Sequence, residues 1–135
     1  MRSALVVGGL LALLASCGIG EGGIGLPHQR AGETYPGNRL EMVGILEVAD
    51  NSCLNMALDG TSYLVIWPAG SALADRVLLP NGEVIAEGDT VVGTGAFTPT
   101  ARLTADRNGY WANAIGYCAP DASEVVVLDT ARRGG

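Results

Sequence analysis

Three cysteines are the side chains best able to do chemistry in this 135-residue chain. Cys53 and Cys118 lie far apart in the sequence, whereas redox pairs usually show a close spacing such as Cys-x-x-Cys. A metal site would need two further ligands, and the only histidine, His28, lies in a Gly-rich stretch. We therefore predict a structural disulfide between Cys53 and Cys118, which stabilises the fold by roughly 4 kcal/mol in the chain-entropy model.

Catalysis has few candidate groups in this sequence. The chain contains no lysine, and His28 lies in a segment that does not predict a regular element able to hold it against a nucleophile. The acidic residues fall mainly in turns, as at Asp59, Glu87 and Asp89, where turn chemistry already explains them. We expect no enzyme activity, no cofactor and no metal ion, with a weak surface cation site as the alternative.

The aromatic side chains offer a different kind of site. Tyr110 and Trp111 are adjacent at the edge of a loop predicted over residues 98–109, where a small barrel could present them to a sugar or a peptide. Trp67 precedes a proline at the end of a predicted strand, and we expect it to fill the core. Tyr110 and Trp111 are therefore the candidate ligand-binding residues, with burial in the core as the alternative for Trp111.

The N-terminal residues carry the most specific motif of the chain. Arg2 gives a positive start, and residues 4–15 form an uncharged apolar run too short to span a bilayer. The run ends in Leu14-Ala15-Ser16-Cys17. This order of Leu, two small residues and Cys resembles the lipobox of bacterial lipoproteins. The resemblance covers about seventeen residues.

That resemblance implies a cellular location for the protein. It implies that residues 1–16 are removed as a signal peptide and that Cys17 becomes a lipid-modified N-terminus, acylated for example by palmitate. Several acyl chains would hold the protein on a membrane, because a single chain binds only marginally. We expect an anchor on the extracytoplasmic face of the cell membrane, or on an outer membrane if the source has one.

The charge distribution argues against some partners. The chain has a formal net charge of −6, and residues 41–130 hold twelve acidic residues against three arginines. Such a surface is repelled by nucleic-acid phosphates and anionic lipid headgroups, so we expect no nucleic-acid partner. Solubility explains this acidity most simply, and attraction of a cation or a basic partner is the alternative.

The sequence predicts that a tether followed by a small all-β domain positions these residues. Residues 17–40 are rich in Gly and predict a flexible tether, residues 41–131 a domain, and residues 132–135 a tail. Turn signals recur every eight to twelve residues and separate short apolar segments, one of them over residues 110–118.

Five to seven short strands of this kind predict a barrel, with a β-sandwich as the alternative. The strand glycines at positions 44, 93 and 95 favour a coiled barrel, and the pattern resembles OB-fold-like small barrels of exported bacterial proteins. We therefore expect a lipid-anchored, non-enzymatic binding protein of the cell envelope. A structural or inhibitory envelope protein acting through protein contacts is the alternative, and a cell-envelope enzyme is the third hypothesis.

Overall fold

A computed structural model describes residues 26–33, 35–73, 76–105 and 109–135. Ten elements follow one another along the chain: β1 (Leu40–Val48), β2 (Leu54–Leu58), β3 (Thr61–Ile66), β4 (Ala72–Leu73), β5 (Val77–Leu78), β6 (Val84–Ile85), β7 (Thr90–Pro99), α1 (Thr100–Leu103), α2 (Tyr110–Cys118) and β8 (Glu124–Arg133). Five strands close a barrel in the order β1-β2-β3-β8-β7, and β4, β5 and β6 form a second sheet. The predicted OB-like barrel is confirmed, and the sandwich is not the fold.

The barrel has one short seam, where β3 runs parallel to β8. Only Val65↔Val126 and Ile66↔Val127 pair there, whereas the antiparallel pairs of β1, β2 and β7 are longer. Residues 26–29 extend this seam, because the Trp67 N–H donates to Pro27 O at 2.8 Å and the Gln29 N–H donates to Trp67 O at 2.7 Å. The Gln29 Nε2 also donates to Leu128 O at 2.7 Å.

The described residues before β1, 26–33 and 35–39, are therefore part of the folded domain. We call them the N-terminal segment. Leu26 is fully buried in the barrel core, and Tyr35 is buried against the outside of the barrel. This differs from the prediction of a tether over residues 17–40 and of a domain boundary at residue 41. Composition misled the prediction, because the glycines are concentrated over residues 18–25, outside the described residues, while the rest of the segment supplies apolar side chains.

The strand glycines permit close approach where the barrel coils, as the sequence predicted. A Cβ on Gly44 would lie 2.5 Å from both Ala57 O and the Met56 side chain, so only Gly fits this point of β1. A Cβ on Gly93 or Gly95 would likewise collide with a carbonyl oxygen of β8. The β7–β8 register shifts between Thr94 and Gly95. Such an irregularity bends a strand and allows a small barrel to close.

The second sheet packs into the barrel core at the end where β3 finishes. Val77, Leu79 and Ile85 are buried there beside Trp67, whose side chain is fully buried, as predicted. The β5–β6 hairpin turns at the predicted 80–82 cluster, where Gly82 has a φ of +88°. This sheet therefore adds apolar side chains to one end of the barrel core.

Residues 110–118 form helix α2, so the prediction of a strand there is wrong. Trp111, Ile115 and Cys118 lie at helical spacing and face the aliphatic outer side chains of β3 and β8, namely Leu64, Ile66, Val125 and Val127. The predicted loop over residues 98–109 begins instead with the end of β7 and with α1. No helix of the described residues has the length and apolar character needed to cross a membrane.

Candidate binding site

The predicted disulfide is present and joins the turn before β2 to the end of α2. Cys53 lies in the turn before β2, and Cys118 ends α2, with their Cα atoms 5.7 Å apart. The predicted pairing is confirmed, although Cys118 lies on a helix where a strand was predicted. Because the bond crosses 65 positions, it fixes α2 against the opposite half of the chain.

Asn51 reinforces the same junction. Its Nδ2 donates to Tyr117 O at 3.3 Å and Cys118 O at 3.4 Å, two carbonyls that the end of a helix leaves unpaired. Its Oδ1 accepts from the Cys53 N–H at 3.1 Å, and its own carbonyl accepts from the Tyr117 hydroxyl at 3.1 Å.

Tyr110 and Trp111, the candidate ligand-binding residues, lie in the first turn of α2. The Trp111 ring packs edge-to-face against Tyr35, with centroids 5.8 Å apart, and lies 4.9 Å from the Tyr110 ring. The Arg30 guanidinium lies 5.6 Å from the Tyr110 ring centroid, within cation–π range. Both predicted residues are half-buried, and they join the N-terminal segment to α2.

Tyr35 is the titratable group that this aromatic cluster perturbs. Burial, which disfavours the phenolate, raises its pKa to about 12, and the hydroxyl donates to Glu33 Oε2 at 2.9 Å, which favours the neutral form further. The Arg30 N–H acts in the opposite direction by donating to the same hydroxyl oxygen at 3.4 Å. A neutral, hydrogen-bonded Tyr35 thus holds the 30–35 segment in place.

The described residues form a groove of about 460 Å³ beside this segment. The groove is lined by the N-terminal segment, the β5–β6 turn, β8 and the residues after β3. Its lining residues are Gln29, Arg30, Gly32, Glu33, Pro68, Ala69, Pro80, Asn81, Asp129, Thr130 and Ala131.

A second depression of about 310 Å³ continues the groove across β8, β7 and β1. Asn81, Thr130 and Ala131 line both depressions, and Glu41, Val92, Gly93, Thr94 and Arg132 complete the second. The Asn81 Nδ2 donates to Glu83 Oε1 at 2.8 Å and to Ala131 O at 3.4 Å. These hydrogen bonds hold the β5–β6 turn against β8.

The charged groups of the groove are not equally available to a ligand. Asp129 already accepts from Arg39 Nε at 2.7 Å and from Gln29 Nε2 at 3.1 Å, and Glu33 accepts from Tyr35. Arg30 makes no ion pair with a described residue, and its exposed guanidinium faces only the Tyr110 ring. This end of the groove therefore has one cationic group that lacks a carboxylate partner among the described residues.

Other predicted residues lie elsewhere. Cys17 is outside the described residues. His28 is half-buried at the β3 seam, with its Nδ1 3.1 Å from Gln29 O, so it is held in place and not carried on a tether. The described residues contain no group of three His, Cys, Asp or Glu side chains that could hold a metal ion.

Sequence reasoning missed the contribution of residues 26–33 to the groove. Leu26 and Tyr35 were the available signal, because two large apolar residues in a Gly-rich stretch indicate attachment to a core.

Comparisons of the chain with protein-family models, with curated proteins and with solved structures gave no match. The candidate site therefore rests on its own geometry.

Proposed function

We propose that the protein is anchored by a lipid on Cys17 to the extracytoplasmic face of a membrane. The apolar run and the Leu14-Ala15-Ser16-Cys17 motif support this proposal. The Cys53–Cys118 disulfide supports it independently, since disulfides persist in oxidising compartments outside the cytoplasm. Both features suit a protein that is exported and then retained.

The anchor would hold the domain close to the membrane. Leu26 is already buried in the core, so only residues 18–25 separate Cys17 from the folded domain. A fully extended segment of that length reaches roughly 30 Å. A ligand or partner of the protein would therefore be met near the membrane surface.

The proposed function is binding without catalysis, and the groove beside the N-terminal segment is the observation that carries it. Its volume of about 460 Å³ lies within the range of roughly 300–1,000 Å³ usual for small-molecule sites. Apolar Pro68, Ala69 and Pro80 line it together with a few polar groups. The exposed Arg30 guanidinium, which makes no ion pair with a described residue, favours a small polar ligand with a carboxylate or phosphate group.

The anchor is tested by changing its acceptor. Cys17→Ala should move the protein from the membrane fraction to the soluble extracytoplasmic fraction, and it should abolish incorporation of labelled palmitate. Cys53→Ser with Cys118→Ser is the matched control, because it removes the two disulfide-bonded cysteines without touching the acceptor and should leave the protein on the membrane. Membrane retention of Cys17→Ala would refute the anchor.

The groove is tested by filling it. Thr130 is exposed and lines both depressions, so Thr130→Trp should prevent co-purification of a bound small molecule, measured by native mass spectrometry of protein from its own envelope. Thr61→Trp places the same bulk on an exposed residue outside the groove and should change nothing. An equal yield of bound molecule in both variants would refute the groove as the binding site.

A structural or inhibitory envelope protein acting through protein contacts is the second candidate function. It is favoured by the large apolar side chains that β1 exposes, Leu40, Val43, Ile45 and Val48. These residues do not line the groove. The two candidate functions therefore use different surfaces and can be tested separately.

A further inference from the structure

The outer face of β1 is apolar at its centre, and no other described segment covers it. Val43 is 56% exposed and Ile45 is 41% exposed, although both lie in the middle of a nine-residue strand. Their cross-strand neighbours continue the apolar surface, since Val43 pairs with Val92 of β7 and Ile45 pairs with Ala57 of β2. Contiguous exposed apolar surface of this kind marks interaction sites.

Carboxylates lie at both ends of this apolar strip along β1, and Arg132 of β8 lies beside Val92 at its edge. Glu41 and Glu47 lie on the same face of β1, two residues before Val43 and two residues after Ile45. Glu87 lies in the adjoining β6–β7 turn, which is held to β1 because the Gly88 N–H donates to Leu46 O at 2.9 Å and the Leu46 N–H donates to Asp89 O at 3.0 Å. None of the three glutamates makes an ion pair with a described residue.

The charges around this face indicate the chemistry of the partner that it binds. A second copy would bring its own glutamates against these, and an anionic bilayer would be repelled in the same way, since residues 41–130 hold twelve acidic residues and three arginines. A segment with apolar side chains on one face and Lys or Arg beside them would satisfy both the strip and its rim. Complementary charge would also speed its association.

We propose that the outer face of β1, centred on Val43 and Ile45 and rimmed by Glu41, Glu47 and Glu87, docks a basic amphipathic segment of a partner protein. The apolar side chains of the segment pack on Val43, Ile45 and Val92. Its cations lie against the three glutamates. Its centre at Val43 and Ile45 lies outside both depressions, although Glu41 and Val92 at its edge also line the second depression. The surface does not depend on the lipid anchor.

The test titrates the full chain with an amphipathic helical peptide of leucine and lysine, using the same residues in scrambled order as the reference peptide. A protein that carries the lipid is placed in phosphatidylcholine nanodiscs, with empty nanodiscs as the blank. Val43→Ser with Ile45→Ser should weaken binding about tenfold. Glu41→Gln with Glu47→Gln should weaken it about threefold and flatten its salt dependence.

Leu78→Ser with Val84→Ser is the matched control, because these aliphatic residues are equally exposed on the second sheet, and it should leave the affinity unchanged. Far-UV circular dichroism checks that each variant folds. Equal affinity of the wild type and the Val43→Ser/Ile45→Ser variant overturns the proposal. So does a wild-type dimer, or binding to phosphatidylglycerol vesicles, that this variant abolishes, since either would assign the face to another occupant.

Discussion

Two outer faces of the same barrel differ in whether a described element covers them. The face of β3 and β8 is covered by α2, and its side chains Leu64, Ile66, Val125 and Val127 are at most 2% exposed. The face of β1 carries aliphatic residues of similar size, yet Val43 and Ile45 remain in contact with solvent. An aliphatic outer face therefore needs a further element to become core, and among the described residues the face of β3 and β8 has one whereas the face of β1 does not.

The composition of the strands already reflects this difference. β8 contains four consecutive aliphatic residues, Val125–Leu128, and a strand that is apolar on both sides is buried on both sides. β1 places Glu41 and Glu47 on the same side as Val43 and Ile45, which keeps that side soluble at its ends. The covered face contributes to stability, whereas the open face is available for contacts.

Removal of the disulfide should have the largest effect on the covered face. Cys53→Ser with Cys118→Ser should lower the free energy of unfolding by about 4 kcal/mol, because the unfolded chain regains the freedom of a loop that spans 65 positions. Urea denaturation measures this change. Amide hydrogen exchange should accelerate most in α2, since the disulfide holds its C-terminal end.

The β1 amides serve as the internal control for this variant. They should accelerate less than those of α2, because the antiparallel pairs of β1 with β2 and β7 do not depend on the disulfide. A loss of less than about 1 kcal/mol would contradict the expected role of the bond. Equal acceleration in α2 and β1 would show that the two faces are one cooperative unit.

A pair of isoleucine substitutions compares the two faces directly. Ile115 of α2 is 4% exposed and Ile45 of β1 is 41% exposed. Ile115→Ala should therefore cost about 2–4 kcal/mol through lost burial and a cavity, whereas Ile45→Ala should cost less than about 1 kcal/mol. Thermal and urea unfolding of both variants measure the two costs, and similar values would remove the distinction between the faces.

The sequence was sufficient for the fold class and the disulfide, because turn residues and strand glycines act locally. Asp59-Gly60 marks the β2–β3 hairpin, Gly82 lies in the β5–β6 turn, and Gly44 lies where the barrel coils. The covering of one face was harder to predict. α2 has only nine residues, and its Gly116 and Asn113 weaken the helical signal.

The spacing of Trp111, Ile115 and Cys118 nevertheless fits one side of a helix, and that signal was available. The groove could not be predicted in the same way. It depends on residues 26–33 meeting the ends of β3 and β8, a long-range contact that no local pattern encodes. The apolar Leu26 and Tyr35 indicate attachment to a core without indicating where they attach.

The smallest effect is expected at alkaline pH and tests the tie between the N-terminal segment and α2. Tyr35 has an ordinary pKa of 10.0, and burial raises its pKa to about 12 in the folded protein. Between these values the unfolded chain releases a proton that the folded chain retains, so the stability from Tyr35 is complete below pH 10 and is lost as the pH rises towards 12. Tyr35→Phe keeps the ring against Trp111 but removes this ionisation. Urea midpoints measured below pH 10 and between pH 10 and 12 should therefore fall more steeply for the wild type than for Tyr35→Phe, and parallel falls would mean that Tyr35 is not buried on the covered face.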